Sequence, residues 1–572
     1  MPSLAAMLVL SLLAFALAHR FYGRLLARLF GLDASATTPA HVHEDGEDYV
    51  PTPRFYLLSQ HFSAISAAGP IVGPILAAIW FGWAPAFWWI LLGCIFIGAM
   101  HDFAALVGSV RHGACSIAQV LKRNLNGRSY TVFTIYIWLA LIYVIIAFTD
   151  VTARAFVEAL DVAVPGNAGP NVAVAGAGVA SSSMLYLGLS LLMGVVVKLL
   201  RPPLWLVTVI FMPAVGLAIW LGPLLPLDLH AAGDVPSLWW AWLILVYCGI
   251  ASVLPMWLLL QPRGYLGGFF LYLTLGGGLL GLLVANPAIE WPAFTGFTTK
   301  TGAPLVPFLF ITIACGACSG FHGLVCSGTT SKQIDREPDA HLVGYGGMLL
   351  EGVVALLALA CVMILKPGSA AASMGPEKVF GVGIGSFLHQ LGVPLQFAVT
   401  FGMLAFATFV YDTLDVCTRL ARYLFTEFTG WRTRTAGVVG TVVSLLLPAW
   451  FVAQTVVDRT GTIVPAYRVI WPLFGSTNQL LAGLTLVGLS LWLANTGRSV
   501  LLRIVVGVPM VFMMAMTMTA LVFQIAGATD AMLAVVACVL LALAVWITGE
   551  AVFSLCRGRA RVAVPHETGE SA

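Results

Sequence analysis

The chain has 572 residues, of which 60% are hydrophobic and only 9% are charged, and its mean hydropathy is +0.95. Because soluble domains carry roughly 25% charged residues, this composition excludes a soluble protein and predicts an all-α polytopic membrane protein. The formal net charge of +3 is too small for a nucleic-acid-binding protein.

Apolar runs long enough to cross a bilayer recur along the whole chain. A membrane-spanning helix needs about 20 mainly apolar residues, and this criterion predicts about 15 spans. Their predicted ranges are 4–18, 60–80, 86–108, 130–158, 182–200, 204–222, 238–260, 265–285, 304–327, 342–365, 394–418, 436–453, 469–491, 499–525 and 530–554. We divide the chain into a first helix with a polar cytoplasmic connector (1–54), a core (55–495), and C-terminal helices with a short tail (496–572).

Positive charge alternates between successive loops. Arg20, Arg24 and Arg28 follow the first apolar run, whereas a cleaved signal peptide carries its positive charge before that run. The positive-inside rule places loops that are rich in Lys and Arg in the cytoplasm. We therefore predict a retained first span, with the N-terminus outside and the C-terminus in the cytoplasm.

The second predicted span contains two Gly-Pro pairs, Gly69-Pro70 and Gly73-Pro74. Proline removes a backbone donor and clashes with the preceding turn, so these pairs should unwind the helix locally. Free backbone groups at membrane depth are tolerated only where they are buried in protein or line a cavity. We therefore predict a functional break in this span.

The ninth predicted span is dense in glycine and hydroxyl residues from Cys315 to Thr330. By the predicted topology it is antiparallel to the first broken span, as in inverted-repeat secondary transporters, whose interrupted helices surround a substrate near the midplane. Small residues also allow simple close packing, and both alternatives stay open for its glycines. The predicted substrate-binding residues of the two spans are Ser66, Gly69, Pro70, Gly73, Ser319, Gly320, His322, Ser327 and Thr329.

Ionisable residues within spans are costly to bury and are functional candidates. His61 precedes the first break by two helical turns and His322 lies within the second, and imidazole titrates in the pH range of proton coupling. Packing by a hydrogen-bonded histidine is the alternative. Asp415 precedes Arg419 by one helical turn, so this arginine is placed to release the proton of the acid. We predict these four residues as the ion-coupling set.

Other buried charges have a structural alternative. Asp150, Arg154 and Glu158 lie four residues apart on one helix face, either as a relay or as a ladder of ion pairs near the outer surface. Asp102 and Glu351 are single acids, each of which can pair with a neighbouring helix.

A metal site is not predicted. Cys315, Cys318, His322 and Cys326 would share one face only on a continuous helix, and their spacing matches no common zinc module.

Several strings resemble the carbon starvation protein A (CstA) family. They are DYVPT at 48–52, HFSAISAAGPIVGP at 61–74, PFLFITIACG at 307–316, SGFH at 319–322, SGTT at 327–330, and WPLFG with NQL at 471–480. The resemblance implies a bacterial inner-membrane transporter of small carbon compounds, with pyruvate and peptides as the substrates of the family and protons as the driving ion. It adds Asn478, in the last string, to the predicted substrate-binding residues.

The resemblance also implies kinship with the amino-acid/polyamine/organocation transporters and their LeuT-like five-plus-five inverted repeat. The predicted broken spans lie seven apart rather than five, so helices are inserted or the span count differs. Gln60 stands where relatives often carry a second histidine, and Ser331 where they often carry proline. The chain therefore differs from its relatives at one position near each predicted break.

The leading prediction is therefore a proton-coupled secondary transporter that takes up pyruvate or a similar small carboxylate under carbon starvation. A peptide or amino-acid transporter is the alternative, because a helix N-terminus can bind the carboxylate of either substrate. A membrane nutrient sensor is a further alternative. No Walker motif and no clustered nucleophile and base stand out, so we predict neither ATP drive nor an enzyme, and no cofactor.

Overall fold

The computed structural model describes residues 3–122, 127–162, 172–229, 235–300, 302–431, 433–457, 463–465, 473–528 and 531–556. Its helices are α1 (Leu4–Phe30), α2 (Pro39–Val42), α3 (Arg54–Ile65), α4 (Gly69–Phe81), α5 (Trp83–Val110), α6 (Ile117–Lys122), α7 (Gly127–Ala155), α8 (Gly176–Leu200), α9 (Leu204–Leu224), α10 (Pro236–Val253), α11 (Leu260–Ala285), α12 (Leu305–Thr312), α13 (Gly320–Val325), α14 (His341–Met363), α15 (Pro376–His389), α16 (Leu395–Thr429), α17 (Arg434–Val452), α18 (Leu473–Asn495), α19 (Val500–Ala526) and α20 (Ala531–Cys556).

Two antiparallel hairpins lie outside the helices. β1 (Leu160–Val162) pairs with β2 (Val172–Val174), and β3 (Thr455–Val457) pairs with β4 (Ile463–Pro465). The rest of the described chain is mostly helical because a helix satisfies its own backbone hydrogen bonds, which lipid cannot do.

Twelve of the described helices are long and apolar enough to cross a membrane, or 13 if the bent pair α3–α4 counts as one span. The predicted span 238–260 corresponds to the shorter helix α10, and 304–327 corresponds to the interrupted pair α12–α13. The protein is therefore a multi-pass membrane protein, and the count of about 15 spans stays a prediction.

The structure differs from the sequence prediction at two elements. α1 continues to Phe30, so Arg20, Arg24 and Arg28 lie on its exposed face rather than in a loop; long arginine side chains can extend from a helix to the interface. α15 occupies a stretch predicted as an external loop, because its 14 residues fall short of the apolar length that marks a span.

The central helices are α14, α16 and α18. In their most apolar stretches 94%, 89% and 83% of the residues are buried, compared with 28% for the peripheral helices α1, α8, α9 and α20. α3 packs against α11, and α4 packs against α14. The broken spans therefore lie inside the bundle, surrounded by other helices.

Candidate functional site

Both spans for which the sequence predicts a break are interrupted, but the first break lies at 66–68, before the Gly-Pro pairs, and both pairs are helical. α3 ends at Ile65 and α4 begins at Gly69, with a bend of 45° between them. Pro70 lies in the first turn of α4, where a missing N–H costs no helical hydrogen bond. The second break separates α12, which ends at Thr312, from α13, which begins at Gly320.

The two breaks touch each other through glycines. A Cβ atom on Gly69 would overlap the side chain of Cys315, and a Cβ atom on Gly73 would overlap the carbonyl oxygen of Thr312. Only glycine allows this approach without a shift of the facing segment. The antiparallel spans predicted from the sequence are thus brought together at their interruptions.

A cavity of about 330 Å³ lies beside this contact. Gly69 and Gly73 form one wall and Cys315 another, and aromatic side chains, among them Trp80 and Phe474, surround the rest. None of the described residues that line it is Lys, Arg, His, Asp or Glu. α4 begins at the wall formed by Gly69 and Gly73, and the positive end of a helix dipole attracts anions. In its first turn Pro70 has no N–H and the Ile71 and Val72 N–H groups donate to the Ala68 carbonyl at 3.2 and 2.8 Å, so Gly69 carries the N–H that an anion would meet.

Asn478 connects the cavity wall to the start of α13. Its Oδ1 accepts a hydrogen bond from the Phe321 N–H at 2.9 Å, and its Nδ2 lies 3.2 Å from Ser319 Oγ and 3.3 Å from Cys315 Sγ. The Asn478 side chain of α18 therefore fixes the N-terminus of α13 and the cavity-lining Cys315 thiol relative to each other.

The other predicted substrate-binding side chains lie away from the cavity. Ser327 Oγ donates to the Gly323 carbonyl at 2.7 Å and accepts from the Ile117 N–H at 3.2 Å, so its hydroxyl serves packing. Thr329 Oγ1 donates to the carbonyl of Val325, in its own helix, at 3.1 Å.

Pro70, Gly320 and Ser66 are buried at the breaks but do not line the cavity. A Cβ atom on Gly320 would overlap the backbone of α18. Close packing against α18 therefore explains why residue 320 is a glycine.

His322 lies between two acids on different helices. Its Nδ1 is 2.9 Å from Asp102 Oδ2 on α5, and its Nε2 is 3.0 Å from Glu351 Oε2 on α14. The second oxygen of Asp102 is 2.8 Å from Nδ1 of His101. All four side chains are fully buried. We call these four residues the His322 cluster.

His61 reaches the second broken span from the first. Its Nδ1 lies 2.8 Å from Thr330 Oγ1, in the π-helical turn that continues α13 (Cys326–Thr330). π-helical turns are frequent at functional sites. His61 therefore links the first broken span to the second, whereas His322 links the second broken span to α5 and α14.

Asp415 has a different partner from the one that the sequence suggests. Arg263 on α11 forms ion pairs with Asp415 and, through Nε at 2.7 Å, with Asp412 Oδ1. Tyr247 donates a hydrogen bond to Asp415 at 2.6 Å, and the guanidinium lies 4.4 Å from the ring centre of Tyr411. We call Arg263, Asp412 and Asp415 the Arg263 cluster.

Arg419 instead binds the connector that precedes α3. Its Nη1 lies 3.0 Å from Asp48 Oδ1, and its Nη2 donates to the carbonyls of Ala251 and Leu254 at 2.9 and 2.5 Å. The predicted pair of Asp415 with Arg419 is therefore replaced by two separate ion pairs, one inside the bundle and one at its predicted cytoplasmic end.

Asp48 gathers several side chains at that end. Tyr423 donates to it at 2.5 Å and Arg422 lies 3.4 Å away, while the Lys332 ammonium sits 3.5 Å from the ring centre of Tyr423. Burial alone would raise the pKa of Asp48, but the positive charges of Lys332, Arg419 and Arg422 and the Tyr423 hydrogen bond outweigh it and lower this pKa.

We expect Asp48→Asn to lower the stability of the folded protein by about 1–3 kcal/mol at pH 7, since it removes charge-assisted hydrogen bonds. A lowered pKa stabilises the fold above the unfolded-state value of about 3.9, and this contribution disappears as the pH falls through the folded-state value. Thermal unfolding in detergent at pH 7 and near pH 3 should show the difference shrinking in acid. Glu47→Gln, which removes an exposed pair with Arg434, is the matched control; an equal loss in both variants would contradict the role of Asp48.

Sequence reasoning missed part of both clusters. It treated Asp102 and Glu351 as separate acids, although their place within spans was a signal. The predicted spans 238–260 and 265–285 leave Arg263 in the loop between them, whereas α11 begins at Leu260 and Arg263 is 1% exposed. No local pattern distinguishes an arginine at the start of a helix from one in a loop, because its acidic partners lie far away in the chain.

Asp150, Arg154 and Glu158 form the ladder of ion pairs that was one of the two sequence alternatives. Arg154 lies 2.5 Å from Asp150 and 3.8 Å from Glu158, which also contacts Lys378 at 2.9 Å. Among the residues that the structure describes, no group of three or more His, Cys, Asp or Glu side chains could hold a metal ion.

Comparison with known proteins agrees with the family resemblance of the sequence strings. A sequence model of the family described as "Carbon starvation protein CstA" matches residues 3–374 and 368–520. The chain belongs to the CstA family. This family membership confirms the resemblance seen in the sequence strings.

Named CstA-family relatives come from several bacteria. The "Peptide transporter CstA" of Helicobacter pylori (strain J99) is 32% identical, over 86% of this chain and 78% of the relative, and that of Escherichia coli (strain K12) is 32% identical, over 84% and 75%. The "Pyruvate/proton symporter BtsT" of E. coli is 30% identical, over 84% and 76%.

A solved structure shows a related fold. The crystal structure of the Eremococcus coleocola manganese transporter in complex with an aromatic bis-isothiourea substituted compound aligns with a TM-score of 0.51 and 13% identity, over 90% of this chain and 99% of that one. At this identity the similarity concerns the fold alone, so this CstA-family chain shares its overall helical architecture with a transporter.

Proposed function

We propose that this protein is a secondary active transporter for the uptake of pyruvate or a similar small carboxylate, driven by protons. The observation that carries the proposal is the contact between two interrupted helices beside a cavity of about 330 Å³. Interrupted helices at membrane depth are the arrangement with which such transporters bind substrate. The name of the BtsT relative, a pyruvate/proton symporter, supports pyruvate as the substrate and protons as the coupling ion.

The cavity suits a small anion with an apolar part. Its volume lies at the lower end of the usual range for ligand pockets, about 300–1,000 Å³. The Gly69 N–H and the positive end of the α4 dipole would bind the carboxylate, and the aromatic side chains would contact the apolar part. Gly69 and Gly73 would contact the substrate, while Ser319 and Asn478 would hold Cys315 in place.

Proton coupling needs a buried group that changes its charge near the substrate. The His322 cluster offers it: two carboxylates share one histidine between them, and α13 carries that histidine at the second break. His61, Asp415 and Arg419 remain the other candidates, and each links two segments that surround the broken spans.

The architecture proposed for this function is an inverted repeat. α3–α4 would be the interrupted helix of one half and α12–α13 that of the other. The additional helices between them would account for the spacing of the broken spans. The N-terminus would lie outside and the C-terminus in the cytoplasm of the bacterial inner membrane, so the Trp80 end of the cavity would face outward.

Peptide uptake is the second candidate. It rests on the names of several relatives, each of which is called a peptide transporter. A peptide also carries a carboxylate, and the same helix N-terminus would bind it. A peptide ammonium would have to bind backbone carbonyls, because the described residues that line the cavity include no carboxylate.

Uptake by purified protein in liposomes separates these functions. Labelled pyruvate and labelled dialanine would each be offered with an acidic exterior, with no gradient, and with a sodium gradient alone. We expect pyruvate to accumulate only with the proton gradient. Accumulation of dialanine but not pyruvate would assign the protein to peptides, and accumulation with sodium alone would refute proton coupling.

A further inference from the structure

The Arg263 cluster contains two carboxylates and one positive charge. Arg263 pairs with Asp412 and with Asp415, and the exposed fractions of the three residues are 1%, 4% and 3%. An uncompensated charge in a dry interior is expensive. With both acids ionised the cluster would carry a net charge of −1, so it needs one more positive charge to be neutral.

Within the described part of the chain, no other positively charged side chain on the surrounding helices forms an ion pair with Asp412 or Asp415. The groups that face the cluster are Ser63 from α3, Tyr186 from α8, Tyr247 and Cys248 from α10, and Tyr411, Cys417 and Arg419 from α16. Arg419 acts on Asp415 only through its field, because its guanidinium binds Asp48 and the carbonyls of Ala251 and Leu254. The tyrosines, the serine and the cysteines are neutral hydrogen-bonding or packing groups.

The two acids are not equivalent. Asp415 accepts hydrogen bonds from Arg263 and from Tyr247, whose hydroxyl is itself bound by Arg263, so its charge is well compensated. Asp412 has the Ser63 hydroxyl as its second partner. A serine hydroxyl can donate to a carboxylate and can equally accept from a protonated carboxyl. Asp412 can therefore take up a proton and keep the same partner.

A small cavity next to the Arg263 cluster has room for one water molecule, which would carry the proton. It measures about 10 Å³ and is lined by Gln60, Ala64, Arg263 and both acids, among others. About 10–15 Å³ is sufficient for one water. Oδ1 of Asp415 and Nη2 of Arg263 are buried without a hydrogen-bond partner among the described residues, which is where a water would bind.

Asp412 also acts directly on the first broken span. Ser63 lies in the last turn of α3, two residues before its end at Ile65, and Thr413 next to Asp412 donates to the carbonyl of Ala64 at 3.1 Å. A change in the charge of Asp412 therefore alters the hydrogen bond that holds the end of α3 beside the break.

We propose that Asp412, held by Arg263 and Ser63, is a second proton-binding site, separate from the His322 cluster, so that each transport cycle moves two protons. This inference rests on the proposed function. One proton would neutralise a transported monocarboxylate, and the second would carry one net positive charge inward. Transport of pyruvate by this protein is therefore electrogenic.

The test measures accumulation of labelled pyruvate in proteoliposomes at a fixed pH gradient while potassium and valinomycin set the membrane potential. The parent protein should accumulate about tenfold more for each 59 mV of inside-negative potential, the value for one net charge. Asp412→Asn should keep pyruvate exchange and accumulation driven by the pH gradient but lose this dependence on potential. Asp150→Asn, which changes an acid that is paired with Arg154 and not with Arg263, should behave like the parent.

Failure of this inference is distinguishable from failure of the proposed function. If the parent exchanges pyruvate but ignores the membrane potential, or if Asp412→Asn responds to it like the parent, the second site is refuted. If the parent exchanges no pyruvate, the proposed function fails. Infrared spectra of the purified proteins then still decide the site: a protonated-carboxyl band lost in Asp412→Asn and kept in Asp150→Asn supports it, and an unchanged band refutes it.

Discussion

Replacement of His322 by glutamine is expected to abolish proton-driven accumulation and to destabilise the protein strongly. The imidazole lies within 3.0 Å of both Asp102 and Glu351, and all three side chains are completely buried. Glutamine cannot carry a positive charge, so two acids would share a dry site with His101 as the remaining base. Breaking a buried ion pair costs about 3–5 kcal/mol.

A double variant tests whether charge is the cause. His322→Gln with Glu351→Gln removes one acid together with the base, so its stability should be closer to that of the parent than the stability of His322→Gln alone. Thermal unfolding in detergent of the parent, both single variants and the double variant gives the coupling energy. Accumulation should stay lost in the double variant, because the group that changes charge is absent.

Separate measurements of exchange and accumulation complete this test. Exchange needs binding and the alternating motion but no net proton movement, so folded His322→Gln protein should retain it. If His322→Gln accumulated pyruvate like the parent at an equal pH gradient, the His322 cluster would have no part in coupling. An additive double variant would show that the residues act independently.

The second large effect is expected for Gly73→Ala. The added Cβ would overlap the carbonyl oxygen of Thr312, a backbone atom that cannot rotate away. Overpacking of this kind costs about 1–3 kcal/mol and separates the two breaks that form the cavity. We expect pyruvate exchange to fall at least tenfold while the protein still inserts and elutes as a single species in detergent.

Gly216→Ala on α9 is the matched control for this variant. It is also a glycine within a membrane helix, but a Cβ atom there meets no atom within 4 Å. We expect unchanged exchange in this variant, because alanine favours a helix over glycine. Exchange by Gly73→Ala at the rate of the parent would show that the contact between the breaks is not required for transport.

The sequence by itself determined the class of the protein and which of its spans are interrupted. Its low charge content excluded a soluble protein. The two Gly-Pro pairs predicted an interruption at 69–74, and the structure has it at 66–68, because Pro70 is tolerated in the first turn of a helix and so marks where α4 begins. The family strings around both breaks predicted the membership that comparison confirmed. Each of these features can be recognised from residues that are adjacent in the chain.

Only the tertiary structure decided which charges share a site. The His322 cluster draws its members from three helices, α5, α13 and α14. The Arg263 cluster joins α11 to α16. Asp48 reaches α16 from the connector that precedes α3, and its partner there is Arg419. Each of these sites therefore combines segments that are distant in the chain.

The physical reason is that a helical pattern fixes the face of a residue but not the helix that it meets. Arg263 and Asp415 are far apart in the chain, and nothing in either local sequence distinguishes a pair with each other from a pair with a nearer charge such as Arg419. Ion pairs depend on distances of a few ångströms between atoms of separate helices. Those distances are set by packing of the whole bundle, so the sequence identified the acids while the fold decided their partners.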